Sequence, residues 1–169
     1  LKWNGSTLAT GSSLWTLNGG NVYRSSGNVG IGTTTPTAKL HLSGDDGLLV
    51  QGGAQDAGVT QNLGGGTRMH FYPKKQAFRG GAVSGTQWDD ANIGYYSTAM
   101  GRNTTASGGR STAMGYSTTA ESYASIATGR FNVGGGNATS WVSTDPLFEI
   151  GIGADASNKA NAVTILKNG

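Results

Sequence analysis

The side chains able to do chemistry in this chain are few. His41 and His70 are the only histidines and there is no cysteine. Neither histidine sits in a spacing such as His-Glu-x-x-His, which brings two imidazoles onto one metal ion. Each lies on an alternating stretch beside polar neighbours, so surface or interchain hydrogen bonding is expected of both. Asp89-Asp90 offers paired carboxylates for acid–base work, but adjacent residues of an extended chain face opposite ways, and a turn or cap is the simpler reading. Asp45-Asp46 and Asp155 lack the oxygen-ligand spacing of a calcium loop. Gly30-Ile31-Gly32 is followed by neither Gly-Lys-Ser/Thr nor a helix-forming segment, so it is no phosphate loop. Asn4-Gly5-Ser6, Asn103-Thr104-Thr105 and Asn137-Ala138-Thr139 match glycan acceptor sequons, as expected by composition alone in a chain this rich in Asn, Ser and Thr. No nucleophile stands beside a base. The expectation is no catalysis, no metal and no cofactor.

Composition points away from an ordinary globular core. The 169 residues include 30 glycines and only 3 prolines, with 12% charged residues and a net charge of +3. Ordering the backbone costs roughly 1–2 kcal/mol per residue, and few bulky apolar side chains are present to offset it, so burial between chains is expected. Glycine has no strict three-residue period, which excludes collagen. Lys74-Lys75 is the only adjacent basic pair, so no dense basic stripe serves nucleic acid. No apolar run reaches membrane-spanning length. The chain starts without Met or a signal-like segment and is expected to be part of a longer protein.

The elements that must position everything else come from residues 97–134, which repeat every fourteen residues. Ser97, Ser111 and Ser125 begin three copies; Ala99, Ala113 and Ala127 follow, then Gly101, Gly115 and Gly129. A looser second half holds Thr105, Thr119 and Val133, then Ala106, Ala120 and Gly134. A fixed short period means one unit stacked on its neighbours. Ala-x-Gly places both small residues on one face of a strand, where backbone can approach closely, while Thr98/Met100, Thr112/Met114 and Ile126/Thr128 point the other way.

The register Ser-x-Ala-x-Gly-x-x-(Thr/Ser)-x-Ala, carried by residues 97–106 and 111–120 and more weakly by 125–134, resembles the head repeats of YadA-like trimeric autotransporter adhesins. It covers about a quarter of the chain. The resemblance implies an all-β fold: a left-handed parallel β-roll, a solenoid flanked by small β modules and assembled as an intertwined homotrimer. Residues 27–42 are similar to the GNVGIGTxxPxxKLxV connector of tail-fibre-like and large bacterial surface proteins, with Leu42 where the last Val often stands. Residues 67–116, with Arg68-Met69-His70-Phe71-Tyr72-Pro73 and the Trp88–Gly94 landmarks, look like the lead-in of secreted fibre proteins that carry such heads. The final residues, 166–169, resemble the point where another such connector begins.

Taken in order, residues 1–25 read as short strands between tight turns, with Trp3, Trp15 and Tyr23 as packing anchors. Residues 26–44 are the connector, with Leu40 and Leu42 on one face and Lys39 and His41 on the other. Residues 45–94 form a β-rich lead-in and cap, in which Leu48-Leu49-Val50 is expected as a buried strand and Trp88 and Ile93 close the open end of the roll. Residues 95–134 hold the head repeats, packed through Ala99, Gly101, Ala106, Ala113, Gly115, Ala120, Ala127 and Gly129. Residues 135–169 are a hairpin-like module.

The leading expectation is a structural segment of an extracellular fibre, on a cell-surface adhesin or the tail fibre of a phage-like particle, that mediates attachment to a host or surface. Its partners are sister copies, further segments of the same fibre, and a surface receptor or glycan, with Met100, Arg102, Arg110, Met114, Tyr116 and Tyr123 as interchain or receptor-facing surface. The alternative is a carbohydrate- or matrix-binding module using Trp3, Trp15, Tyr95 and Tyr96. A third reading is a fibre-borne polysaccharide-degrading enzyme.

Overall fold

The computed structural model describes residues 2–3, 6–7, 16–18, 21–23, 26–45, 47–52 and 61–169, with side chains from residue 26 onward. The chain divides into two units, Leu1–Leu49 and Val50–Gly169. In the first, β1 (Lys2–Trp3) pairs antiparallel with β2 (Ser6–Thr7), and β3 (Thr16–Asn18) with β4 (Asn21–Tyr23). These pairs bracket Asn4-Gly5 and Gly19-Gly20, the dipeptides that favour two-residue hairpins. The expected Trp3/Trp15/Tyr23 anchor lies outside the described side chains. Within residues 26–44, β5 (Val29–Ile31) runs parallel to β6 (Leu40–Leu42). Gly32 adopts φ +77°, and a Cβ there would meet the Ser43 carbonyl oxygen at 1.9 Å, so the Gly-Ile-Gly run serves backbone packing.

Leu48, Leu49 and Val50 form no strand and are 60%, 82% and 53% exposed, against the expectation of a buried strand. A short apolar run without alternation carries no register of its own, and glycines flank it on both sides. Among the described residues no strand pairs with it.

The second unit is built on one seven-stranded sheet. Its members are β7 (Gly66–Tyr72), β8 (Ala77–Val83), β9 (Thr98–Arg102), β11 (Thr112–Tyr116), β13 (Ile126–Arg130), β14 (Pro146–Ile152) and β15 (Asn161–Leu166). The short strands β10 (Thr105–Ala106) and β12 (Thr119–Ala120) form the second wall, with Ile93 bridged in parallel to Ala106. Strands β8 to β14 pair in parallel, while β7 and β15 close the two ends antiparallel. Each coil is thus a long strand, a corner, a short strand and a second corner, and the sheet runs unbroken across residues 94/95 and 134/135.

The repeat acquires its physical meaning from the register. Arg79, Ala99, Ala113, Ala127 and Glu149 align as one inward column. Ser97, Ser111 and Ser125 are buried beside it, and each hydroxyl donates back three residues, to Gly94, Gly108 and Ser122 carbonyls at 2.6–2.7 Å. That bond satisfies a hydroxyl where water has no room. Gly81, Gly101, Gly115, Gly129 and Gly151 form the adjoining column. Gly101, Gly115 and Gly129 are solvent-exposed rather than interior. The reason is backbone geometry: Gly115 sits at φ +114°, and a Cβ there would lie 2.2 Å from the Gly129 carbonyl oxygen of the next coil.

Both corners of each coil use left-handed residues: Tyr96, Arg110 and Ala124 at one (φ 57–61°), Asn103, Ser117 and Phe131 at the other (φ 42–55°). Such residues cost on the order of 1 kcal/mol each. The conformation turns their N–H groups toward the neighbouring coil: Arg110 donates to Tyr95, Ala124 to Gly109, Ser117 to Arg102 and Phe131 to Tyr116.

Trp88 fills the starting end, fully buried against Val83 and the alanines, with its indole N–H donating 2.9 Å to the Thr104 carbonyl. Arg79, also fully buried, donates to the carbonyls of Phe78, Ser97 and Ala106 and to the Ser97 hydroxyl. At the far end the Glu149 carboxylate, 3% exposed, accepts from the Asn132 and Asn161 amides and the Gly134 N–H.

Two substitutions and an outer-face control test this packing. Gly115→Ala is expected to cost about 3 kcal/mol or more, since strained backbone and a blocked coil contact combine; urea unfolding that leaves the midpoint unchanged would contradict the glycine-column account. Arg79→Ala strands buried carbonyls and is expected to cost about 3 kcal/mol, whereas Thr112→Val, on the outer face, should move the same midpoint little.

Candidate assembly face and corner cleft

The outer face of the sheet carries what the interior cannot hold. Phe78, Thr98, Thr112, Ile126 and Phe148 align in one column. Gly80, Met100 and Met114 begin a second, which Thr128 and Ile150 complete by the repeat period. Met100, Met114 and Ile126 are 46%, 40% and 42% exposed, so an apolar strip runs along the roll. A third column holds Ala82, Arg102, Tyr116, Arg130 and Ile152. Within it the Arg102 guanidinium lies 5.5 Å from the Tyr116 ring centre, and Tyr116 meets Phe131 edge-on at 5.1 Å.

Arg110 and Tyr123 lie elsewhere, at the corner between short and long strands. The Arg110 guanidinium sits 4.9 Å from the Tyr96 ring centre and 5.1 Å from that of Tyr123, and donates 2.6 Å to the Tyr123 hydroxyl. Tyr95, Tyr96, Gly109, Arg110 and Tyr123 wall a cleft of about 410 Å³. The six residues expected as exposed surface therefore fall into two places, four on the sheet face and two at this corner.

Residues 93–118 and 106–132 match the YadA head domain repeat, in two copies. These are YadA-like head repeats. The matched span reaches from the Ile93 bridge to the buried Asn132, so the head is the central part of the roll, while Arg79 and Glu149 lie outside it. Comparison with curated proteins and with solved structures gave no match. The YadA-like head is a structural, adhesin-type repeat, and among the described residues no helix is long and apolar enough to cross a membrane.

The residues weighed for chemistry have structural partners. The Asp89 carboxylate accepts from the Gly64 N–H at 2.9 Å, and Asp90 pairs with Lys75 at 3.0 Å, where Lys75 also donates to the carbonyls of Asp90 and Ile93. His41 Nδ1 accepts from the Thr37 N–H at 3.3 Å. The Asn103 side chain accepts from Ser84, and that of Asn137 from Thr139 and Ser140. Among the described residues no group of three His, Cys, Asp or Glu converges as a metal site.

Three features were missed from the sequence: the buried Arg79 and Glu149, and Gly109 as the gap in the corner cleft. Arg79-Gly80-Gly81 and Glu149-Ile150-Gly151 do keep the x-Gly offset of Ala99-Met100-Gly101. Their distance from the neighbouring column member is 20 residues (79 to 99) and 22 residues (127 to 149) rather than fourteen, which hides them from a search by period.

His70 lies on the inner side of β7, stacked on Tyr72 with ring centres 3.7 Å apart. Burial first, and then the neighbouring Arg68 charge, hold its pKa below the ordinary 6.5. A base whose pKa is depressed by folding takes its proton more readily when unfolded, so stability is retained above the unfolded value and falls as pH drops below 6.5. Thermal melts between about pH 7 and pH 5 should show that decline, and His70→Gln should flatten it; an identical slope in the variant would remove His70 from the account.

Proposed function

We propose that this chain is a segment of an extracellular fibre that assembles as a homotrimer through the apolar strip on its seven-stranded sheet and serves attachment, on a cell-surface adhesin or a tail fibre. The observation that carries this reading is the strip itself, with Met100 and Met114 in one outer column and Ile126 in the adjoining one, on repeats of adhesin-head type. Contiguous exposed apolar surface along a sheet marks an interaction face. The interior of the roll buries alanine and serine, which contribute little per residue, so covering the outer strip supplies the missing hydrophobic stabilisation. Parallel strands normally have both faces covered, and the outer face of β9, β11 and β13 is covered on this reading by sister copies. The Arg102–Tyr116–Arg130 column then borders the interface, and the connector at residues 26–44 joins the head to other segments of the fibre.

The roll is stiff because every coil is hydrogen-bonded to the next, and three copies about one axis present any weak contact three times, which multiplies avidity. Sedimentation velocity at micromolar concentration should show a trimer. Met114→Lys sets three ammonium groups around the axis and is expected to weaken association by roughly a thousandfold while leaving the strand spectrum by circular dichroism intact. A wild-type monomer at that concentration would remove the assembly.

A further inference from the structure

The repeat period sets Tyr95, Gly109 and Tyr123 at one corner position of three successive coils. Two large rings therefore flank a coil that has no side chain there. Coils stack at about the 4.8 Å spacing of hydrogen-bonded strands, so roughly 9.6 Å of axis separates the two tyrosine backbones. Gly109 makes the arrangement fit: a Cβ on it would lie 3.3 Å from Tyr123 Cδ2 and 3.4 Å from the Ala138 carbonyl oxygen. The cleft that results, about 410 Å³, has the size of a small-ligand site.

Its chemistry has two parts. Tyrosine faces from Tyr95, Tyr96 and Tyr123 supply flat apolar walls whose negative quadrupole attracts C–H groups. Arg110, exposed between them, supplies positive charge, and among the described residues its side chain donates only to the Tyr123 hydroxyl. The rest of the guanidinium fork is available to a planar anion. Among the described residues no carboxylate lines the cleft and the hydroxyl residues Ser107 and Thr139 do; the Lys75 ammonium, 5.9 Å from the Tyr95 ring centre, is paired with Asp90.

We propose that this corner cleft binds an acidic sugar, a pyranose ring bearing a carboxylate, as found in uronate- or sialate-containing surface glycans. The C–H face of the ring packs on the tyrosines, the hydroxyls meet the polar rim, and the carboxylate takes the charge-assisted bonds of Arg110. The inference deepens the attachment reading and rests on it only for copy number, since the whole cleft belongs to one chain.

Isothermal titration calorimetry of the full chain with trigalacturonate and sialyllactose tests it, with neutral trigalactose and lactose as their respective counterparts. At least one acidic sugar should bind, with its neutral counterpart weaker by about tenfold or more and the binding reduced by salt. Arg110→Gln should lower the affinity about tenfold. Gly109→Ala, which narrows the cleft, should lower it too at little change in melting temperature. No binding of any acidic sugar at about 10 mM, equal affinity for acidic and neutral partners, or affinity unchanged in Arg110→Gln would each overturn the proposal. Sedimentation of the same samples separates the two readings: a trimer that does not bind removes the cleft alone, and a monomer that binds removes the assembly alone.

Discussion

Everything in the roll follows from how closely its coils stack. Five glycines stand in line from Gly81 to Gly151, and the space that a Cβ would need beside each of the three central ones is taken by the carbonyl of the next coil. Inside the repeats the buried side chains are mostly alanine, serine and threonine, with Asn132 in the last of them. Such side chains lose little rotamer entropy on burial but contribute little apolar area. Cohesion then falls mostly to hydrogen bonds along the axis, including those that offset the two left-handed corners of each coil. Ser97, Ser111 and Ser125 need no acceptor from another coil, because each donates to the carbonyl three residues back. One unit can therefore be repeated without adjusting its neighbours.

A stack so regular has a problem at its ends, where backbone groups and the hollow of the last coil would meet water. The chain answers with larger polar side chains in the same inward column, a guanidinium at one end and a carboxylate at the other. Arg79 reaches three carbonyls and a hydroxyl, and although burial lowers its pKa to about 10 it stays protonated at neutral pH. Glu149 gathers two side-chain amides and a backbone N–H. Alanine at either place would leave the terminal polar groups unsatisfied, and a bulky apolar residue would offer them nothing. Beyond these plugs, β7 and β15 turn antiparallel and take up the ladder bonds of the outermost parallel strands.

How much of this was legible follows from which residues the period binds. The all-β solenoid could be read because Ala99, Ala113 and Ala127 recur at a fixed period of fourteen residues. The plugs could not, because a cap is by nature the unit that departs from the repeat, and its loops shift the spacing. The Leu48-Leu49-Val50 burst misled because hydrophobicity alone does not provide a strand with a partner. Tyr95 and Tyr123 stood in plain view, but a sequence shows large side chains more readily than the glycine between them, and the cleft exists because Gly109 is empty.

The same constraint divides labour between the two sides of the backbone. Within the repeats the inward positions at Ala99, Ala113 and Ala127 are held by space, whereas positions facing outward are only held in place. Any side chain put there is repeated at about the 4.8 Å strand spacing with its neighbours in line. Repeating the same type gives a continuous strip, as Met100 and Met114 do on the sheet face, and a continuous strip suits a sister chain with the same period. Changing the type from coil to coil gives a local shape instead, as Tyr95, Gly109 and Tyr123 do at the corner, and a local shape suits a single small ligand. Regularity on one face and irregularity at one corner are thus separate uses of one ladder, and a change in either leaves the inward column that fixes the fold untouched.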